Sequence, residues 1–168
     1  MNYLKEILRL IHIVGGAFWF GSSIIMGFYV GPTVAAIGEA GQKFMGHLIL
    51  KAKLHTAIAI VAGLTALAGV GLYWIDSDGF TSAWTRTGSG TVFGIGAVFG
   101  IIGFIFGNIL GLNIKKLATV GSQIQGKPTA EQMSQIQAAQ KTMGWAGPIS
   151  TFSLIIAIVC MSIARFWM

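Results

Sequence analysis

Four stretches of the 168-residue chain are apolar for long enough to cross a bilayer, and charge and turn residues collect between them. A transmembrane helix needs about 20 mostly apolar residues in succession. Ile7 to Val30, Leu54 to Ile75, Thr91 to Leu112 and Ile149 to Met168 all meet that length. Lys5 and Arg9 stand at the head of the first stretch as they do in a secretion signal. Its apolar run exceeds the roughly 7–15 residues of a signal core and no small-x-small site closes it, so the pattern predicts an uncleaved helix.

The connections carry their own helical signals. Pro128-Thr129-Ala130-Glu131-Gln132 places a Thr three residues before a Gln, the pattern of a capping box. Met133, Ile136, Gln140 and Met143 then recur at helical spacing up to Gly147-Pro148, which predicts a fourth helix that begins outside the bilayer and kinks at the proline. Gln42 to Lys53 reads as a polar lead-in to the second span. The expected fold is all-α: one domain over residues 1–168, a four-helix transmembrane bundle with helices 2 and 4 extended on the cytoplasmic side.

Charge sets the expected orientation. Gly31 to Lys53 and Asn113 to Pro148 share a side and hold Lys43, Lys51, Lys53, Lys115, Lys116, Lys127 and Lys141, whereas Lys5, Arg9, Arg86 and Arg165 fall on the other. Basic residues are enriched in cytoplasmic connections, so both termini are expected outside, in a bacterial inner membrane. Composition agrees with the class. Hydrophobic residues make up 54% and charged residues only 10%, far below the roughly 25% of soluble domains. That excludes a disordered chain, a secreted disulfide scaffold and a soluble catalytic domain. The net charge of +6 is spread along span edges, which argues against nucleic-acid binding. A single cysteine, Cys160, leaves no internal disulfide and reads as a small buried hydrophobe.

The third span carries Gly96, Gly100, Gly103, Gly107 and Gly111, with a GxxxGxxxG run from Gly103 to Gly111 that predicts close helix packing. Ionisable groups inside spans are functional candidates. His12, Gly16, Trp19, Ser23 and Met26 share one face of the first helix, where an imidazole can ligate haem iron or copper or carry a proton, with Gly16 making room for a flat ring or a neighbouring helix. His47, Lys51 and His55 share a face of the second helix, and His55 enters the apolar stretch, within reach of Asn108, Asn113 and Ser150. His12 is expected near one rim and His55 near the other, too far apart to hold one haem between them. Met161 is expected at the depth of His12, and imidazole with thioether suits haem iron or copper(I). No span contains Asp or Glu, which argues against a carboxylate proton relay, and no catalytic residue is assigned. Asp76 and Asp78 before Gly79 read as a polar turn, and Trp74, Trp84, Trp145 and Trp167 as an interfacial aromatic belt.

Leu10-Ile11-His12, Trp19-Phe20-Gly21 and Gly31-Pro32 resemble the opening of the copper resistance protein D-like group of small four-helix membrane proteins and related uncharacterised integral membrane proteins. The chain is also distantly similar to the haem-binding bacterial protoporphyrinogen oxidase family. The close likeness covers about 25 residues, a His seven positions before Trp-x-Gly near the start of the first span. It implies a four-helix bundle with haem b or copper at His12. Two functions are carried forward. One is an accessory or structural subunit of a larger membrane complex of redox, respiratory or photosynthetic type, or a homo-oligomer. The other is a haem- or copper-binding membrane protein that uses His12, with Met161 or an exogenous second ligand.

Overall fold

The computed structural model describes residues 3–167, so the end of the fourth predicted span, at Met168, lies outside the described residues. Every regular element among them is helical. Helix α1, Tyr3–Ile24, continues through a π-helical segment, Ile25–Val30, into α2, Gly31–Ala36. The widening has a local cause. The N–H of Gly31 bonds to the carbonyl of Met26, five residues back, just before Pro32, which has no N–H to offer.

After Ile37 and Gly38, where Gly38 has φ of 58°, α3 spans Glu39–Gly46 and runs into a π-helical turn, His47–Lys51. Helix α4, Leu54–Asp76, then crosses the bundle, α5 spans Gly88–Gln123 and α6 spans Ala130–Ile163. Four helices are thus long and apolar enough to span a membrane, and the protein is an integral membrane helical bundle whose exposed apolar side chains face lipid.

The caps explain where the long helices start. Thr87 Oγ1 accepts from Gly90 N–H at 3.1 Å to open α5. At α6 the predicted capping box is complete: Thr129 Oγ1 accepts from Gln132 N–H at 3.2 Å, and Gln132 Oε1 accepts from Thr129 N–H at 2.9 Å. Helix α6 passes through Pro148 as one continuous helix.

Two departures from expectation matter. The lead-in to the second span is helical but is not part of it: Lys53, in the left-handed conformation with φ of 54°, separates α3 and its π turn from α4. The third helix, not the second, is the one that runs on, to Gln123 beside the extended α6.

The bundle is two antiparallel pairs, α1 with α4 and α5 with α6, joined mainly through α4 and α5. Lys5 on α1 forms an ion pair with Asp76 at the end of α4. That contact fixes a register which recurs inward as Leu8 meets Gly71 and Gly15 meets Thr65. Between the pairs, Trp19 packs with Ala62 and Leu154 and stands edge-on to Phe104 at 6.1 Å. The α5–α6 seam uses Gly96, Gly103 and Gly107, whose missing Cβ atoms leave room for Met161, Leu154 and Ser150 respectively, and Ser150 Oγ donates to the Gly103 carbonyl at 2.9 Å. Gly100 and Gly111 face open space, so the stripe is shorter than the sequence suggests.

Candidate functional site

The imidazole of His12 bridges three helices. Its Nδ1 is 2.9 Å from the carbonyl of Thr65, the central residue of α4, and its Nε2 is 3.4 Å from Sδ of Met161 on α6. The α1–α4 register, which pairs Lys5 with Asp76, sets His12 opposite Thr65 and Gly69.

The protein builds this position by deleting side chains. A Cβ on Gly69 would fall 2.7 Å from Cε1 of His12 and 2.9 Å from its Nδ1, and a Cβ on Gly15 would fall 2.4 Å from Thr65 Oγ1. Both are far inside van der Waals contact, so glycine at each position lets α1 and α4 close around the ring. Thr65 is buried and its hydroxyl donates to the Val61 carbonyl at 2.8 Å on its own helix. On the far side, a Cβ on Gly96 would stand 3.2 Å from Cγ of Met161, so α5 leaves space for the thioether stem.

The partners assign the tautomer. A carbonyl oxygen can only accept, so Nδ1 carries the proton and donates it to Thr65. In the neutral ring Nε2 then presents a lone pair, and it faces a second lone-pair atom, the sulfur of Met161. Only an imidazolium would put an N–H between the two. A ring N–H anchored on a backbone carbonyl with the other nitrogen free is the arrangement by which metal-binding imidazoles are oriented.

The donor set decides which groups fit. Both donors can reach one ion with bonds of about 2.0–2.3 Å. One nitrogen and one thioether suit copper(I), not an oxygen-preferring cation. No group of three or more His, Cys, Asp and Glu is assembled among the described residues, so a four-ligand structural zinc site is not available to them. A haem held between His12 and Met161 does not fit, because the donor atoms are in contact and a macrocycle must lie between axial ligands.

The other sequence candidates go elsewhere. Trp19 is buried in the core between the helix pairs. Gly16 makes only ordinary contact, 3.6 Å from Thr65 Cγ2 for an added Cβ, and the close approach is at Gly15. Ser23 Oγ donates to the Trp19 carbonyl at 2.9 Å. Asn108 and Asn113 each donate to a carbonyl one turn back on α5, at 2.8 Å. His55 opens α4, ten residues before Thr65 and so about 15 Å from the level of His12. His47 and Lys51 are exposed.

Thr65, Gly69 and Gly15 were not singled out from sequence. The signal was present: Ala62, Thr65, Ala68 and Gly69 form a small-residue stripe on α4 of the kind recognised only on the third span. Compared with protein-family models, with curated proteins and with solved structures, the chain matches none.

Proposed function

We propose that the protein binds copper(I) in the membrane, with His12 and Met161 as ligands. The observation that carries this reading is the pairing of Nε2 and Sδ at 3.4 Å, with Nδ1–H already committed to the Thr65 carbonyl. Thr65 orients the ring, Gly69 admits it, and Gly96 admits the thioether stem. Bound copper supplies a one-electron couple, and the surrounding helices keep it away from bulk water. The resemblance of Leu10 to Pro32 to the copper resistance protein D-like group supports the same assignment. The distribution of Lys and Arg favours a bacterial inner membrane with both chain ends on the outer face.

The test is metal retention by protein purified in a neutral detergent under reductant, with silver(I) as a redox-inert probe. One equivalent should bind, and His12→Ala and Met161→Leu should each weaken it at least about tenfold. Retention by both variants at the wild-type level sinks the reading. A reduced-minus-oxidised spectrum of the same sample, with a Soret band lost in His12→Ala, would replace copper by haem.

A second reading, an accessory subunit of a larger membrane complex or a homo-oligomer, is favoured by the first span. Only 6% of its most apolar window is buried inside the bundle, so Leu10, Ile13, Val14 and Phe18 are left for lipid or for a partner helix. A metal-free chain that co-purifies in fixed stoichiometry with a larger partner would favour it.

A further inference from the structure

We propose that the groove between α2 and α3 holds one acyl chain of a membrane glycerolipid. The groove has a volume of about 340 Å³ and is lined by Tyr29, Val30, Thr33, Val34, Ile37 and Phe44. The inference rests on the membrane-spanning bundle and is independent of the metal reading of His12 and Met161.

The local sequence makes the groove. Gly38, at φ of 58°, ends α2 and lets α3 fold back on it. The two short helices touch at Gly41, where a Cβ would fall 2.3 Å from the carbonyl oxygen of Val34 and 2.9 Å from Cγ1 of Ile37. Val34 is buried at that contact, whereas Tyr29, Ile37 and Phe44 are 67%, 52% and 52% exposed. The chain itself therefore leaves three large apolar side chains uncovered around one groove.

Depth selects the occupant. From Asp76, the partner of Lys5, to the start of α4 at Leu54 is about 33 Å of helix, close to the roughly 30 Å of a hydrocarbon core. Lys5 meets Asp76 and Gly15 meets Thr65, and the same register continued along α1 brings Leu54 level with about Gly27. Tyr29 and Val30 stand just past that level, where hydrocarbon gives way to headgroups and water. Deep in the bilayer, lipid covers every apolar helix face and there is no water to exclude. At the edge, a chain laid over Tyr29, Ile37 and Phe44 removes apolar surface from water, so it is held there more firmly than against the rest of the bundle.

The groove is also continuous with the lipid-facing side of α1, since the exposed Ile25 and Phe28 lead directly to Tyr29. Its size fits a single chain. A stable protein partner engages about 20–30 residues on each side, and six line this groove. Among the described lining residues, Tyr29 and Thr33 carry hydroxyls, which are donors suited to the ester carbonyls at the head of an acyl chain.

The experiment uses the full chain in nanodiscs of phosphatidylcholine with a trace of phosphatidylcholine carrying a diazirine on the first carbons of one acyl chain. After photolysis, the labelled residues are mapped by peptide mass spectrometry. Residues 29–44 should be labelled severalfold more than the segment around Leu112, which is exposed and apolar at the end of its own stretch but lines no part of the groove. Thr33→Phe, which fills the groove, and Ile37→Asn, which wets its wall, should each abolish that excess and leave both the labelling at Leu112 and the melting temperature at their wild-type values. Equal labelling of the two segments, or an excess that survives both substitutions, overturns the proposal and leaves only the ordinary lipid shell. An unlabelled groove in a protein whose native mass is that of a dimer, split by Ile37→Asn, gives the groove to a second copy and overturns it as well. Thr33→Phe decides the matter if Ile37→Asn does not fold.

Discussion

Gly69 and His12 share one space: a Cβ on the glycine would fall 2.7 Å from Cε1 of the imidazole. The ring therefore lies against the α4 backbone, where its Nδ1 meets the Thr65 carbonyl one turn back. Gly69→Ala should push the ring off that carbonyl and out of line with Met161. Overpacking of this kind costs about 1–3 kcal/mol. The expected outcome is a lower melting temperature together with at least about tenfold weaker silver(I) binding, since displaced supporting contacts cost metal affinity on that scale. Gly63→Ala, on the same helix with open space around an added Cβ, should change neither. Unaltered silver binding in Gly69→Ala would separate the ring's seat from its ligand role.

The α5–α6 seam gives a second contrast. An added Cβ at Gly103 meets Leu154 at 2.7 and 2.9 Å, whereas Gly100 has nothing within 4 Å. Gly103→Ala is expected to destabilise by about 1–3 kcal/mol. Gly100→Ala is expected to be neutral, or to stabilise by up to about 1 kcal/mol through helix propensity. Unfolding in mixed micelles of graded denaturing detergent measures both.

Lys5 and Asp76 pair across the open ends of α1 and α4, with side chains 40% and 34% exposed. Solvent screening at that exposure holds the coupling to about 0.2–1 kcal/mol. A double-mutant cycle with Lys5→Met and Asp76→Asn should return a value in that range that shrinks as salt is added. A larger, salt-independent value would mean the pair is shielded by neighbouring chain or lipid.

The Glu39–Lys43 pair predicts a pH response of α3. Its hydrogen bond, and then its charge attraction, hold the Glu39 carboxyl below its ordinary value of 4.5 and lift Lys43 above 10.5. The carboxylate's share of α3 stability is present above pH 4.5 and is lost as pH falls through the lowered value. The lysine's share is present below pH 10.5 and is lost as pH rises through the raised value. Carbon chemical shifts of Glu39 in a pH titration should show the depressed midpoint, and Lys43→Gln should return it to the ordinary range.

Much of this fold was legible because bilayer thickness sets helix length directly. The start of α4 at Leu54 and the α6 capping box at Thr129 fall where the sequence puts them. Relations between helices were harder. Each residue turns a helix by about 100°, so a four-residue step drifts about 40° and a seven-residue step about 20° the other way. Gly96, Gly103 and Gly107 therefore stay close to one line while Gly100 and Gly111 turn off it, a distinction that counting GxxxG repeats misses. The depth of Met161 relative to His12 followed from span lengths. The pairing of His12 with the Thr65 carbonyl did not, because it depends on a register fixed by Lys5, Asp76 and the closeness of Gly15 to Thr65.

The length of α5 has an electrostatic consequence. From Leu112, where the apolar stretch ends, to Gln123 is about 17 Å of helix. Lys115 and Lys116 lie within the first 6 Å or so of that distance, inside one Debye length of the lipid headgroups, which is about 8 Å at physiological salt. Lys127, past the end of α5, lies about two Debye lengths out. Lysines that look equivalent in a net charge of +6 are thus divided by distance. Those at the base lie within range of whatever charge a headgroup layer carries, and the one at the tip is screened from it.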